Sequence, residues 1–303
     1  MRSRDAFSSY HPLANFLYFA LVLVFAMFFT HPAAQAISLI TALIYAAHLN
    51  GRKVLGKSLV WLLPMMGIAV IVNPAFNHAG ATILTYLPTG DPLTLESILY
   101  GISAGVLLAA VIVWFQCYTA VMTSDKFIYL FGRLIPALSL VLSMTLRFVP
   151  KFKVQLQAVA EAQRCVGRDV SEGTVRQRTK TAVTILSILI TWALENAIET
   201  ADSMKSRGYG LPGRTAFSIC RFDSRDKAAL LWLGFCGFFI ASGWMAGGFY
   251  WRYYPTIKGA PVTSLTAMMH LCYLALCLTP VIVDRREEQT WKRLDREGSS
   301  CGT

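Results

Sequence analysis

Ser103 and His270 are the residues whose types most directly allow covalent chemistry. Ser103 stands in Gly101-Ile102-Ser103-Ala104-Gly105, a G-x-S-x-G run. A serine becomes a nucleophile when a histidine within hydrogen-bond reach takes its proton. The run draws its catalytic meaning from a strained strand-to-helix turn. Here it lies inside a continuous apolar block, where small residues ordinarily let membrane helices approach closely. Helix packing is therefore the preferred reading, and an intramembrane serine hydrolase using Ser103 and His270 is the alternative.

The other reactive side chains do not assemble into a site. His11, His31, His48 and His78 lack metal-ligand spacing and are expected at surfaces or interfaces. Seven cysteines, Cys117, Cys165, Cys220, Cys236, Cys272, Cys277 and Cys301, contain no C-x-x-C pair and read as buried or cytoplasmic thiols. Asp223 and Asp226 sit beside Arg221, Arg225 and Lys227, a solvated charge cluster rather than a magnesium site. No G-x-x-x-x-G-K-S/T phosphate loop occurs. The chain is expected to be non-catalytic, with no cofactor and no metal of its own.

The elements that position these residues are set by composition. Of 303 residues 55% are hydrophobic and 15% charged, against about 25% charged in soluble domains, and the mean hydropathy is +0.49. Apolar blocks at 13–29, 33–49, 58–72, 97–121, 228–250 and 262–283 approach the roughly 20 residues a helix needs to cross a bilayer. They are continuously apolar rather than alternating, which favours helices over an outer-membrane barrel. The fold class is all-α, a polytopic helical bundle of six spans. Eight is the count if 127–142 and 181–194 also insert; Arg133 and Pro136 interrupt the first of these, and the second is short.

Lys and Arg in short loops mark the cytoplasmic side. Arg2 and Arg4 put the N-terminus inside, and Arg52, Lys53 and Lys57 return the first hairpin there. Residues 73–96 hold no Lys or Arg and form an external loop, with Asp91 as N-cap and Pro92 in the first turn of the fourth span. Both termini are then cytoplasmic, in the plasma membrane. The organisation is a membrane domain at 1–126, a cytoplasmic module at 127–227, a membrane hairpin at 228–283 and a charged tail at 284–303. The basic inner face follows from membrane topology and anionic lipid, so nucleic acid is not expected as a partner. Spans nearly free of ionisable groups argue against a self-contained secondary transporter.

Within the module, Phe152, Leu156, Val159 and Val166 recur on one side of a helix after Pro150, and Ile190, Leu194, Ala197, Ala201 and Met204 on one side of a second. These stripes predict two long amphipathic helices, each packed along its stripe. The second stops at Arg207-Gly208, where glycine suits a C-cap and the preceding arginine the negative end of the helix dipole.

Leu146-Arg147-Phe148-Val149-Pro150, Glu161-Ala162-Gln163-Arg164-Cys165-Val166-Gly167 and Ser203-Met204-Lys205-Ser206-Arg207-Gly208-Tyr209-Gly210 resemble the T component of energy-coupling factor transporters. Asn73-Pro74-Ala75-Phe76-Asn77-His78 and Met122-Thr123-Ser124-Asp125-Lys126 resemble further segments of that family. The resemblance implies a membrane scaffold with long cytoplasmic coupling helices, each ending in an Ala-Arg-Gly-type motif docked on one of two ABC-type ATPase subunits. It also implies a small substrate-binding S subunit in the bilayer, for uptake of vitamins or transition-metal ions. By that resemblance Ser206, Arg207 and Gly208 form one docking motif. In the other, Cys165-Val166-Gly167 lacks the arginine, and Arg164 and Arg168 are the neighbouring candidates.

Overall fold

The computed structural model describes residues 6–86, 92–132, 135–212, 222–261 and 263–300. Arg2, Arg4, Asp91, Arg133, Cys220, Arg221, Val262 and Cys301 lie outside them. In chain order the helices are α1 (Pro12–Phe28), α2 (Pro32–Asn50), α3 (Arg52–Phe76), α4 (Leu95–Val121), α5 (Ser124–Gly132), α6 (Pro136–Cys165), α7 (Val175–Ser206), α8 (Ser224–Met245) and α9 (Ser264–Ser300). Two small antiparallel ribbons complete the described structure, β1 (Ile83–Tyr86) with β2 (Pro92–Thr94) and β3 (Trp251–Arg252) with β4 (Lys258–Gly259). The all-α reading holds.

Two compact units divide the chain: Met1–Lys126 with Cys220–Thr303, and Phe127–Ile219. Local sequence sets the helix starts of the first. His11 and His31 cap α1 and α2, each ring Nδ1 accepting a backbone N–H two residues on, with proline at the first helical position. α4 departs from expectation. Its N-cap is Thr94, whose hydroxyl accepts from Ser97 N, while Pro92 belongs to β2. Glu96, fully buried, accepts from the backbone and hydroxyl of Thr82 and ties the ribbon to the start of α4. α3 also runs on through Asn73-Pro74 instead of ending before them. Asn73 Nδ2 then donates to Ser97 O at 2.7 Å, joining the ends of α3 and α4.

Aromatic side chains fill the middle of this unit. Trp114 is fully buried, donates from Nε1 to Ser38 Oγ at 3.0 Å and lies edge-on to Tyr18. Tyr18 donates to Cys277 O at 2.9 Å, stitching α1 to α9. Near the α1 C-terminus Phe29 stacks on Phe249 with ring centroids 4.1 Å apart. Asp226 corrects the solvated-cluster reading. It is buried, and its carboxylate accepts from His11 N at 2.9 Å and from Asp223 N at 3.0 Å, capping α8 while holding the entry to α1.

Among the described residues five helices are long and apolar enough to cross a membrane: Pro32–Leu49, Leu95–Val121, Val175–Ser206, Ser224–Met245 and Ser264–Arg293. The apolar parts of α1 and α3, Pro12–Phe28 and Val60–Phe76, are shorter. α7 thus has the length and composition of a span, whereas the sequence reading placed it in the cytoplasmic module and counted it as a span only in the eight-span alternative.

In the second unit α6 and α7 form an antiparallel pair. Phe152 meets Trp192 edge-on at 5.4 Å, and Val159 packs with Ile185 and Leu189. α6 continues through Pro150 rather than starting after it; proline removes one ladder bond there without ending the helix. The packed face of α7 carries Thr181, Ile185, Leu189, Trp192, Asn196 and Thr200. Ile190 and Leu194, on the stripe expected to pack, are 51% and 61% exposed. On α6 Val159 packs as expected, but Leu156 and Val166 are exposed. A helix whose outer face meets lipid or a partner has no need to turn its most apolar stripe inward.

Candidate functional site

Both long helices of the second unit end in the same backbone motif. At the end of α6, Gly167 N donates to Arg164 O at 2.9 Å and Arg168 N to Gln163 O at 2.9 Å. At the end of α7, Gly208 N donates to Lys205 O and Tyr209 N to Met204 O, each at 3.0 Å. These are paired Schellman bonds, which require a left-handed residue that glycine supplies without strain. Gly167 has φ 79° and Gly208 φ 77°. Superposing the two caps sets Cys165-Val166-Gly167 on Ser206-Arg207-Gly208. Val166 therefore occupies the position that Arg207 holds in the other cap, and its side chain is 70% exposed.

The neighbouring arginines of the α6 cap differ in what they do. Arg164 Nε lies 3.1 Å from Asp169 Oδ2. Asp169 also accepts the backbone N–H and hydroxyl of Ser171 at 2.9 and 2.7 Å. Those two bonds, and then the Arg164 charge, hold its carboxyl below the usual range. Arg168 and Arg207 are exposed, and neither guanidinium has a partner among the described residues. Two cations are thus presented at two helix ends, while Arg164 is occupied within its own loop.

Antiparallel pairing separates the caps. Arg207 lines a cleft of about 520 Å³ with Leu140, Met144 and Arg147 of α6. Val166 lies more than 20 residues farther along α6 than Met144, which at about 1.5 Å per residue sets the two caps roughly 35 Å apart. The cleft brings Arg147 and Lys151 to Arg207, with Glu199 as its acidic member. That grouping was not read from the sequence; the signal was the i, i+4 spacing of Arg147 and Lys151 on one face of α6.

The residues of the hydrolase alternative have other occupations. Ser103 is buried and donates to Gln35 Oε1 at 2.8 Å. His270 Nδ1 lies 2.7 Å from Thr266 O in its own helix, and its ring sits against His31 and Phe249. The flanking glycines serve packing: a Cβ at Gly101 would lie 3.2 Å from Val70 Cα, and one at Gly105 3.3 Å from Met66 O, so α4 approaches the backbone of α3 directly. Ser103→Ala is expected to lose one buried hydrogen bond, about 1 kcal/mol of stability. A serine-reactive fluorophosphonate should label neither form on a gel; labelling of wild type that Ser103→Ala abolishes would restore the hydrolase reading.

Among the described residues no three of His, Cys, Asp and Glu gather where a metal could be held. His48 and Asp284 form a pair instead, and Asp284 also accepts Ala6 N at 2.8 Å.

Residues 7–217 match the family described as CbiQ, cobalt transport protein. The energy-coupling factor transporter transmembrane protein EcfT of Macrococcus caseolyticus is 25% identical over 233 residues, 72% of this chain and 85% of the relative. EcfT 1 of Listeria monocytogenes is 30% identical over 186 residues, 57% and 67% of the two chains. EcfT of Lacticaseibacillus paracasei is 36% identical over 107 residues, 35% of this chain, which spans only 39% of that relative. On this match the chain belongs to the CbiQ cobalt transport protein family, that of the transmembrane T components of energy-coupling factor transporters.

Proposed function

We propose that this membrane protein is the transmembrane coupling subunit of an energy-coupling factor importer, with α6 and α7 as its coupling helices. The observation that carries the reading is the repeated cap: two helix ends of one backbone geometry, about 35 Å apart, each offering an exposed guanidinium with no partner among the described residues. Such a pair suits two ATPase subunits, one per cap. At the α7 end Ser206, Arg207 and Gly208 form the docking element. At the α6 end Gly167 and Arg168 take that role, since Arg164 is engaged with Asp169. A guanidinium carries fixed charge and a planar fork of donors that grips a carboxylate bidentately, and glycine lets a partner approach the backbone.

In this reading the module at 127–227 and both termini face the cytoplasm of a plasma-membrane protein. ATP binding and hydrolysis in the partners move the two caps, and the helix pair passes that motion to a small S subunit carrying a vitamin or a transition-metal ion. Ile190, Leu194 and Ile198, exposed on α7, offer that subunit or the lipid an apolar face. The test is purification of the tagged chain from its native membrane, with identification of co-eluting proteins. Two ATPase copies or a heterodimer, together with a small apolar membrane protein, are expected; recovery without any ATPase would overturn the assignment.

A further inference from the structure

A cleft of about 560 Å³ opens in the first unit between the N-terminal segment, the first turns of α8 and the later turns of α9. Phe7, Ala228, Trp232, Ala275 and Ile282 give it apolar walls, and Arg225 and Arg286 line it at one end. Trp232 lies two turns beyond Arg225 on α8, and Ala275 three turns before Arg286 on the antiparallel α9. The apolar wall therefore runs about 10–16 Å from the arginines.

Those arginines stand where the spans give way to water. The apolar run of α8 begins at Ala228, and that of α9 ends at Val283, before Asp284-Arg285-Arg286-Glu287. Arg286 has no side-chain partner among the described residues. Arg225 has only a long ion pair, 3.9 Å to Glu287 Oε1, and the Tyr10 ring 5.8 Å away. Asp226 forms no ion pair with either arginine among the described residues; its carboxylate oxygens accept the backbone N–H groups of His11 and Asp223. Two guanidinium groups at headgroup depth above a groove of alanines and a tryptophan match one chemistry: a phosphate joined to an acyl chain. A free anion would use the arginines and leave the groove without a purpose.

We propose that this cleft binds an anionic phospholipid, its phosphate on Arg225 and Arg286 and an acyl chain along Ala228, Trp232 and Ala275. The site depends only on membrane embedding and stands whether or not the ATPase docking does. Its test is native mass spectrometry of the detergent-purified full chain with added phosphatidylglycerol or phosphatidylcholine. Wild type should retain phosphatidylglycerol in preference, and the preference should fall about fivefold for each arginine replaced.

If Arg225→Ala with Arg286→Ala fails to fold, Arg225→Gln with Arg286→Gln keeps most of the packing stems. Arg252→Ala, on β3 beyond the far end of α8, should keep the full preference. Equal retention of the two lipids by wild type, or an unchanged preference in the glutamine pair, would overturn the site. Displacement of phosphatidylglycerol by inorganic phosphate alone would reassign it to a free anion and equally overturn the lipid proposal.

Discussion

Arg207→Ala is expected to weaken ATPase retention in the purified complex and to lower ATP-driven uptake sharply, while leaving the membrane subunit folded. Separation of those two effects follows from the cap. The Arg207 backbone N–H donates to Ser203 O, the turn is held by Gly208 and Tyr209 through their own N–H groups, and the guanidinium bonds to nothing among the described residues. Removing it costs the helix little. Under the proposed docking, however, the partner carboxylate is left desolvated and unpaired, which costs on the order of 2–5 kcal/mol, or a ~30- to several-thousand-fold loss of affinity. Lysine keeps the charge but not the planar fork, so Arg207→Lys should recover only part of it. ATPase retained on an affinity column, measured against membrane-subunit yield, is the readout; retention equal to wild type in Arg207→Ala would remove Arg207 from the docking surface.

The same cap shows how far sequence carries. Glycine after a periodic apolar helix signals a C-terminus, and the Gly167 and Gly208 turns are legible on that ground alone. Their equivalence was legible only through the family resemblance, because one cap carries valine where the other carries arginine; the backbone bonds put Val166 and Arg207 in register independently of it. The apolar stripes were misassigned for a related reason. Amphipathicity locates the core of a helix surrounded by water, but the outer face of α7 need not meet water. Ile190 and Leu194 turn outward while Thr181, Asn196 and Thr200 face α6. Asp226 and Thr94 escaped because a capping side chain is recognised by where the helix starts: Pro92 pointed to Asp91 for α4, and the apolar block beginning at 228 put the start of α8 after Asp226. Four helices of span length, Pro32–Leu49, Leu95–Val121, Ser224–Met245 and Ser264–Arg293, were legible from length and continuity of apolar residues, whereas Val175–Ser206 was counted only in the eight-span alternative.

Trp114→Ala is expected to be the most destabilising single change in the membrane unit. In water the cost of such a truncation is about 3–5 kcal/mol, a sum of lost transfer energy and an unfilled cavity. Between membrane helices the transfer part shrinks, because lipid tails are as apolar as the packed interior. What remains is the void left among Tyr18, Tyr45 and the helices around them, together with a stranded Ser38 hydroxyl that no longer receives the indole N–H. Those losses put the expected cost near the lower end, about 3 kcal/mol. Trp114→Phe refills much of the void but not the hydrogen bond, and should cost roughly half as much. Thermal unfolding in a fixed detergent, followed by loss of monodisperse protein, separates the cases: wild type, Phe and Ala should melt in descending order. If Ala and Phe melt together well below wild type, the Ser38 bond and not the filled volume is what Trp114 contributes; if all three melt alike, the centre of this bundle is packed by other residues.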